Sequence, residues 1–285
     1  MTVLKGADVV GQMKEELTAA LAALRVTPRL AIVRVGERAD DLAYERGAIK
    51  RLSGLGLQAS VFAYPADISQ EDFLAAFRRI NDDPAIHGIL VFRPLPGQID
   101  DGAVIAAIAP GKDVDGISPV NMAKVYAGDP AGFAPCTAAA VMAMLDYGKV
   151  ELKGRRVTVV GRSLVVGKPL AMLLLGRHAT VTVCHSRTAD LPAACRQAEV
   201  LAACVGKAKM LGKEHIAPGG TVIDVGINVD ADGSLCGDVD YAAVADIAGL
   251  ITPVPGGVGA VTTAILARHV IRAAAGAQAG AQDLR

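Results

Sequence analysis

The stretch from Arg155 to Pro169, Arg-Arg-Val-Thr-Val-Val-Gly-Arg-Ser-Leu-Val-Val-Gly-Lys-Pro, constrains the fold more than any other in the chain. Val157 to Val160 form a short β-branched run suited to a buried parallel strand. Gly161 then allows a tight turn, Gly167 permits close backbone approach, and Pro169 falls where a first helical turn tolerates a missing N–H. Amide groups at a helix N-terminus point outward with partial positive charge, so a strand, turn and helix of this kind can hold the pyrophosphate of a dinucleotide. The spacing is not G-x-G-x-x-G, and glycines alone can be structural punctuation, so the next strand has to decide.

That strand is Thr180 to Cys184, and it runs into His185-Ser186-Arg187. In dinucleotide-binding folds this strand end faces the adenosine ribose. An acidic residue there selects a free 2′-hydroxyl, whereas a cation or hydroxyl accommodates a 2′-phosphate. No acid is present. Ser186 can donate a hydrogen bond, and Arg162 and Arg187 can offer charge-assisted forks, so NADP is expected over NAD. Solvated surface charge is the alternative for both arginines.

A chain of 285 residues is long for one core and fits two domains. Apolar residues are abundant, but no uninterrupted run is long enough to span a bilayer, so a soluble protein is expected. Lysine plus arginine and aspartate plus glutamate number 29 each, leaving no basic field for nucleic acid or an anionic membrane. Small acids and nucleotides remain as partners. The first residues lack the apolar core of a signal peptide. Cys136, Cys184, Cys195, Cys204 and Cys236 are odd in number and form no C-x-x-C pair. Free, mostly buried thiols in a reducing cytoplasm are expected, and a metal site is not.

Read in order, the chain alternates strands and helices. Val9, Val10, Met13, Leu17, Leu21 and Leu24 give an amphipathic helix over residues 8–25. Leu30 to Val35 read as a buried strand closed by Gly36. A polar loop, Glu37 to Asp41, precedes a helix from Tyr44 to Leu55 that stops at Gly56. Leu57 to Tyr64 form the next strand, Ser69 with Asp72 resembles a capping box for a helix to about Asn81, and Gly88 to Phe92 form a third strand. Loops after Val35, Phe92 and Pro110 are candidate walls of one site, since ligands of parallel sheets sit outside the carboxyl ends of strands. The carboxylates of Lys112-Asp113-Val114-Asp115-Gly116 are either ligand groups or Asx-turn formers. A helix from about Cys136 to Tyr147 crosses into the dinucleotide-binding part. There, strands at 200–205, 221–225 and 250–254 follow, then a bare glycine loop, Pro255-Gly256-Gly257-Val258-Gly259, and a helix from Thr262 to about Ala274 with a frayed tail. The expected domains are 1–137, completed by 260–285, and 138–259.

These segments together resemble the methylenetetrahydrofolate dehydrogenase/cyclohydrolase family over nearly the whole chain. The carriers are Gly161-Arg162-Ser163 with Val166-Gly167-Lys168-Pro169, His185-Ser186-Arg187-Thr188, Asp224-Val225-Gly226-Ile227-Asn228, Lys112 to Gly116, Pro135-Cys136-Thr137 and Thr252 to Gly259. The resemblance implies two α/β domains, the second a Rossmann-type dinucleotide-binding domain, with a deep cleft between them, usually in a homodimer. It also implies a folate substrate. Carried over residue by residue, Gly161, Arg162, Ser163, Gly167, Ser186, Arg187 and Ile227 are expected at the cofactor. Asp115 is expected on the pterin's amino edge, Tyr44 against the folate, and Pro255, Gly256 and Gly257 on the opposite wall; Tyr44 and Asp115 are also the candidate catalytic residues.

The departures lie in the folate half. The family pattern has Tyr-x-x-x-Lys, its lysine central to cyclohydrolase chemistry; one helical turn after Tyr44 this chain has Ala48. Lys50 is two residues further, a rotation of roughly 200° onto another face. Phe92 replaces the family's glutamine and Arg93 follows it, Asp41 replaces a loop serine, and Ala260-Val261 replace Pro-Met. An NADP-dependent dehydrogenase with weak or absent cyclohydrolase activity is therefore expected. The alternatives are a bifunctional enzyme with Tyr44 or Asp41 as proton carrier, a non-catalytic nucleotide- or folate-binding protein, and a dehydrogenase of another substrate. His87, His178, His215 and His269 are expected to be structural or on the surface; only His185 lies near a proposed ligand.

Overall fold

The computed structural model describes residues 1–283, with side chains described to residue 280. The chain forms two units: Met1–Gln12, Val125–Gly128 and Pro135–Thr262 make one, and Met13–Lys124, Asp129–Ala134 and the residues from Thr263 onward make the other. Strand β1 (Thr2–Val3) and helix α1 (Gly6–Ala22) open the chain. Val9, Met13 and Leu17, four residues apart, are the buried positions of one α1 face.

In the unit that begins at Met13, β2 (Arg29–Val35) lies between β3 (Gln58–Tyr64) and β4 (Gly88–Val91), all parallel. Leu30, Ala31, Ile32 and Val33 are fully buried, which explains why β2 reads as a continuous apolar run: both faces of a central parallel strand are covered. Parallel neighbours need crossovers, supplied by α2 (Ala39–Gly54) and α3 (Gln70–Asp82). Ser69 caps α3, its Oγ accepting the Asp72 amide at 3.1 Å. Phe73, Phe77 and Ile80 then pack on Ala31, Val33, Ile89 and Val91. Each such buried side chain contributes roughly 1.5–3 kcal/mol. Helix α2 starts five residues before Tyr44, so Asp40 and Asp41 sit in its first turn, where carboxylates complement the helix dipole, rather than in a loop. It ends as expected, with Gly56 at φ 86°. Two short helices, α4 (Asp101–Ala107) and α5 (Pro119–Ala127), fall where no helix was anticipated.

The other unit contains α6 (Cys136–Tyr147), β5 (Arg156–Val160), α7 (Gly167–Gly176), β6 (Thr180–Cys184), α8 (Leu191–Arg196), β7 (Val200–Ala203), β8 (Thr221–Asp224), β9 (Asn228–Val229), β10 (Leu235–Cys236), α9 (Tyr241–Val244), β11 (Leu250–Ile251) and the start of α10 (Val258–Asp283). Its six-stranded parallel sheet has the order β1-β11-β8-β7-β5-β6. The chain leaves β5 to one side for β6 and returns on the other for β7. The carboxyl end of β5, where Gly161 stands, is therefore a topological switch point, where open parallel sheets bind ligands. Strands β7, β8 and β11 are shorter than the apolar runs that contain them, and the antiparallel β9–β10 hairpin was not anticipated.

Three further differences concern the chain's ends. Residues 1–12, expected with the first domain, belong with the dinucleotide-type sheet because β1 pairs with β11, Thr2 opposite Leu250. Helix α10 begins at Val258, so Val258 and Gly259 form a first turn and not a loop. The tail expected to fray after Ala274 continues as helix to Asp283, its alanines being strong helix formers. Among the described residues, Val258–Gly280 of α10 is the one helix long and apolar enough to cross a membrane, and most of its apolar 18-residue window is buried inside the protein.

Candidate functional site

At the switch point the backbone explains its glycines. Gly161 has φ 134°, and a β-carbon there would collide with the Cys204 carbonyl; one at Gly167 would collide with the Gly161 carbonyl. Gly167 is thus buried, and its part is to let α7 begin directly against the turn. Ser163 shapes that turn: its Oγ accepts the Val166 amide at 3.1 Å and its carbonyl accepts the Lys168 amide at 3.0 Å. Arg162 and Ser163 are exposed beside this cradle. At the end of β6, Ser186 and Arg187 are also exposed. His185 orders their turn, its Nδ1 accepting the Arg187 amide at 3.1 Å while its own amide donates to Thr188 Oγ1 at 2.9 Å. A turn without room for side chains, followed by exposed arginines and a serine and no acid, fits a phosphorylated dinucleotide.

The loops after β7 and β8 are tied together by two buried carboxylates. Asp238 accepts the amides of Val205 at 2.6 Å, Gly206 at 3.1 Å and Lys207 at 2.8 Å, and Asn228 Nδ2 at 2.9 Å. Asp224 accepts those of Gly226 at 3.0 Å and Val239 at 2.9 Å, and its own amide donates to Thr252 Oγ1 at 2.8 Å. Burial, and next to it the neighbouring Asp238, push the Asp224 carboxyl up to about 6 against three backbone donors. A β-carbon at Gly226 would collide with Asp238, and one at Gly237 with Asp224. What this network presents is Ile227, two-thirds exposed, its Cδ1 reaching the first turn of α10 at Gly259. Cys204, against Gly161, is no nucleophile: burial, then Asp238 and Asp224, push its thiol up to about 12.

Pro255, Gly256 and Gly257 link β11 to α10 in this same unit. The Gly256 carbonyl accepts the Gly6 amide at 2.8 Å, and a β-carbon at Gly6 would collide with the Gly257 carbonyl. It is therefore Gly6 that lets α1 pack closely on this loop, while Gly256, at φ 95°, takes a turn that favours glycine and leaves backbone bare.

Tyr44 and Asp115 belong to the other unit. Tyr44 is exposed on α2 and its ring meets Phe92 edge-on, centroids 5.7 Å apart. One turn along α2, Ala48 is fully buried, whereas Lys50 is exposed on another face. Glu45 and Arg34 form a mostly buried ion pair at 2.9 Å that pins the start of α2 to the end of β2. Asp41 lies 3.8 Å from Arg38, and Arg93 turns to Asp101 at 3.5 Å.

The two acids of the 112–116 loop divide the alternatives between them. Asp113 is fully buried and accepts the amides of Ile117 at 2.9 Å and Ser118 at 2.8 Å, and Asn121 Nδ2 at 2.8 Å, so it is the turn former. Asp115 is only partly buried. Asp113 sits opposite Ile89 of β4 in an isolated parallel bridge, and the chain turns again at Gly116, φ 64°. Behind the loop, buried His269 of α10 meets the Val114 carbonyl through Nδ1 at 2.8 Å. Burial lowers that imidazole to about 3, keeping it neutral.

Asp238 and Glu45 escaped the sequence reading. For Asp238 a signal was present: Asp224-Val-Gly226 and Gly237-Asp238 each set a carboxylate beside a glycine, the pairing that lets buried carboxylates approach backbone amides. No group of three or more His, Cys, Asp or Glu able to hold a metal occurs among the described residues, and the five cysteines are free.

The tetrahydrofolate dehydrogenase/cyclohydrolase catalytic-domain model matches residues 4–115, and that family's NAD(P)-binding-domain model matches residues 135–278. The bifunctional protein FolD of Clostridioides difficile is 51% identical over 274 residues, covering 95% of this chain and 96% of that one. Among solved structures, the bifunctional FolD methylenetetrahydrofolate dehydrogenase/cyclohydrolase of Campylobacter jejuni is similar at 35% identity and TM-score 0.94, covering 97% of this chain and 99% of that one. The Trypanosoma brucei methylenetetrahydrofolate dehydrogenase-cyclohydrolase, solved with NADP and an inhibitor, is similar at 34% identity and TM-score 0.90, covering 96% and 97%.

Proposed function

Because the chain belongs to the tetrahydrofolate dehydrogenase/cyclohydrolase family, we propose that it oxidises 5,10-methylenetetrahydrofolate to the methenyl form with NADP and has little or no cyclohydrolase activity. The observation that carries the second half is Ala48, fully buried at the position where the family pattern has its lysine, with Phe92 at that of the glutamine.

The two reactions ask different things of the site. In the oxidation a folate nitrogen lone pair expels a hydride from the methylene carbon, leaving an amidinium-like cation. No proton has to be removed, so orientation does most of the work. When bound, the nicotinamide supplies the hydride acceptor. The turn at Gly161 with Arg162 and Ser163 would hold its phosphates, Ser186 and Arg187 the 2′-phosphate, and Ile227 would lie against its ring. Tyr44, braced edge-on by Phe92, offers a flat wall to the pterin, and Asp115 offers a charge-assisted acceptor to its amino edge.

Hydrolysis of the cation instead requires a proton to leave water and another to reach the departing nitrogen. General acid–base catalysis of that kind contributes about 10²–10⁴-fold, and an alanine offers neither. Arg93 brings charge but is no base, and it is turned towards Asp101. A bifunctional reading, with Tyr44 or Asp41 as proton carrier, is favoured by the names of the relatives alone. Methenyl-folate absorbance separates the two. The dehydrogenase should build up the methenyl product, and its decay should not exceed the spontaneous rate; enzyme-dependent decay would overturn the monofunctional reading.

A further inference from the structure

Away from the ends of β2 and β4 that lead to Gly36 and Phe92, the opposite, amino ends of the same strands border a cavity of about 860 Å³. Its wall is apolar, formed by Val26 ahead of β2, Ile86 ahead of β4, Phe133, and Ala273 and Ala277 of α10. Among the described residues its ionic lining is cationic only: Arg25, Lys112 and Arg272, with no Asp or Glu. His87 also lines it; burial, then Lys112 and Arg29, lower its pKa, and its Nδ1 accepts the Arg29 amide at 3.1 Å.

Two of these cations are held by carbonyl oxygens, and Asp83 and Asp82 act on Lys112 through space without forming an ion pair with it; burial outweighs them and lowers its pKa. The Lys112 ammonium donates to the carbonyls of Asn81 at 2.6 Å and Asp83 at 2.7 Å. The Arg272 guanidinium donates to those of Pro130 at 3.1 Å and Gly132 at 2.7 Å, and lies 3.9 Å above the Phe133 ring. Among the described residues none of the three is in an ion pair. Carbonyl oxygens orient a cationic head without neutralising it. The nearby acids are occupied with their own turns: Asp83 Oδ1 accepts the Ala85 amide and Asp129 Oδ1 the Ala131 amide, each at 2.8 Å.

We propose that this cavity is a second ligand site, for a small anion with an aromatic or otherwise apolar body, of the aryl carboxylate class. Its volume lies within the range of small-molecule pockets, the apolar wall would cover the body, and the guanidinium and ammonium would take the acid group. The site stands whether or not the dehydrogenase reading does.

Calorimetric titration of the full chain at saturating NADP, with naphthoate as the probe and naphthalenemethanol as the neutral control, tests it. Naphthoate should bind at one site, at least tenfold tighter than the alcohol. It should weaken at least tenfold in Arg272→Met and in Arg25→Met, and be unchanged in Asp115→Asn. Should Arg272→Met not fold, Arg25→Met, an exposed position, decides alone. Absent naphthoate binding, equal affinity for the alcohol, or unchanged affinity in the arginine variants would each overturn the proposal. So would loss of binding in Asp115→Asn, which would put the probe in the folate region.

Discussion

The amide of Asp238 donates to Asp224 Oδ1 at 3.0 Å, so Asp224, at the end of β8, holds in place the loop from which Asp238 reaches the amides after β7. Burying a carboxylate beside a second one costs free energy, and burial first, then the Asp238 charge, raises the Asp224 pKa. The arrangement survives because backbone amides surround both carboxylates. Its product is a fixed path for three loops at the carboxyl end of the sheet, with Ile227 at its tip.

Asp238→Asn keeps the shape but turns one oxygen into a donor that faces other donors. A hydrogen bond to a charged group is worth about 1.5–3 kcal/mol. The NADP KM should therefore rise about tenfold or more while the folate KM changes little. Steady-state kinetics with each substrate varied checks this. A lowered melting temperature with both KM values intact would make Asp238 a purely structural residue.

Arg187→Ala should raise the NADP KM much more than the NAD KM, since only NADP has a 2′-phosphate to lose. The comparison is a pair of kcat/KM values. Equal effects would assign Arg187 to the solvated surface, where its exposure is equally at home.

The neighbouring loop acids should separate cleanly. Asp113→Asn, which disturbs three buried hydrogen bonds, should lower stability by about 1–3 kcal/mol in denaturant titrations. Asp115→Asn should instead weaken folate binding by about 1.5–3 kcal/mol and leave NADP binding alone. If Asp115→Asn weakens both ligands alike, it too is holding the loop.

Ala48→Lys alone places an ammonium in a fully buried position and should cost stability without restoring hydrolysis. Ala48→Lys with Phe92→Gln should recover more cyclohydrolase turnover than the single change. Methenyl-folate decay rates rank the three proteins.

His269 should make its unit sensitive to acid. Its pKa is about 3 when folded against an ordinary 6.5, so below pH 6.5 the unfolded chain binds a proton that the folded one refuses. Stability is then lost as pH falls from 6.5 towards 3, by about 2 kcal/mol at pH 5. Asp224, raised from 3.8 to about 6, has the opposite sign in its own unit, gaining stability as pH falls through 6. Comparing the wild type with His269→Gln, which keeps a donor for Val114, isolates the histidine. The variant should lose less stability between pH 7 and pH 5.

How much of this could be read beforehand depended on how local the cause was. The strand at Thr180–Cys184 and the cap at Ser69 were legible because β-branched runs and capping side chains act within a few residues. So was the turn at Gly161, which announces a backbone conformation. The split roles of Asp113 and Asp115 were not, since what separates them is burial set by β4 and α5. The glycine beside Asp238 hinted at a buried carboxylate, but its partners could not be read: three of them lie more than thirty residues away. Short helices such as α4 and α5 carry too few apolar positions to show a period.

Thr2 and Val3 pair with Leu250 and Ile251, strands almost a full chain length apart. During synthesis the first strand emerges from the ribosome long before its partner exists, and the sheet it edges cannot close until the last strand has followed. The dinucleotide-type unit is thus finished late although its first residues are made first. Closing so wide a loop is slow relative to local pairing. A nascent chain stalled short of Ile251 should expose the flank of β8 that β11 covers, giving chaperones an unpaired strand edge to recognise.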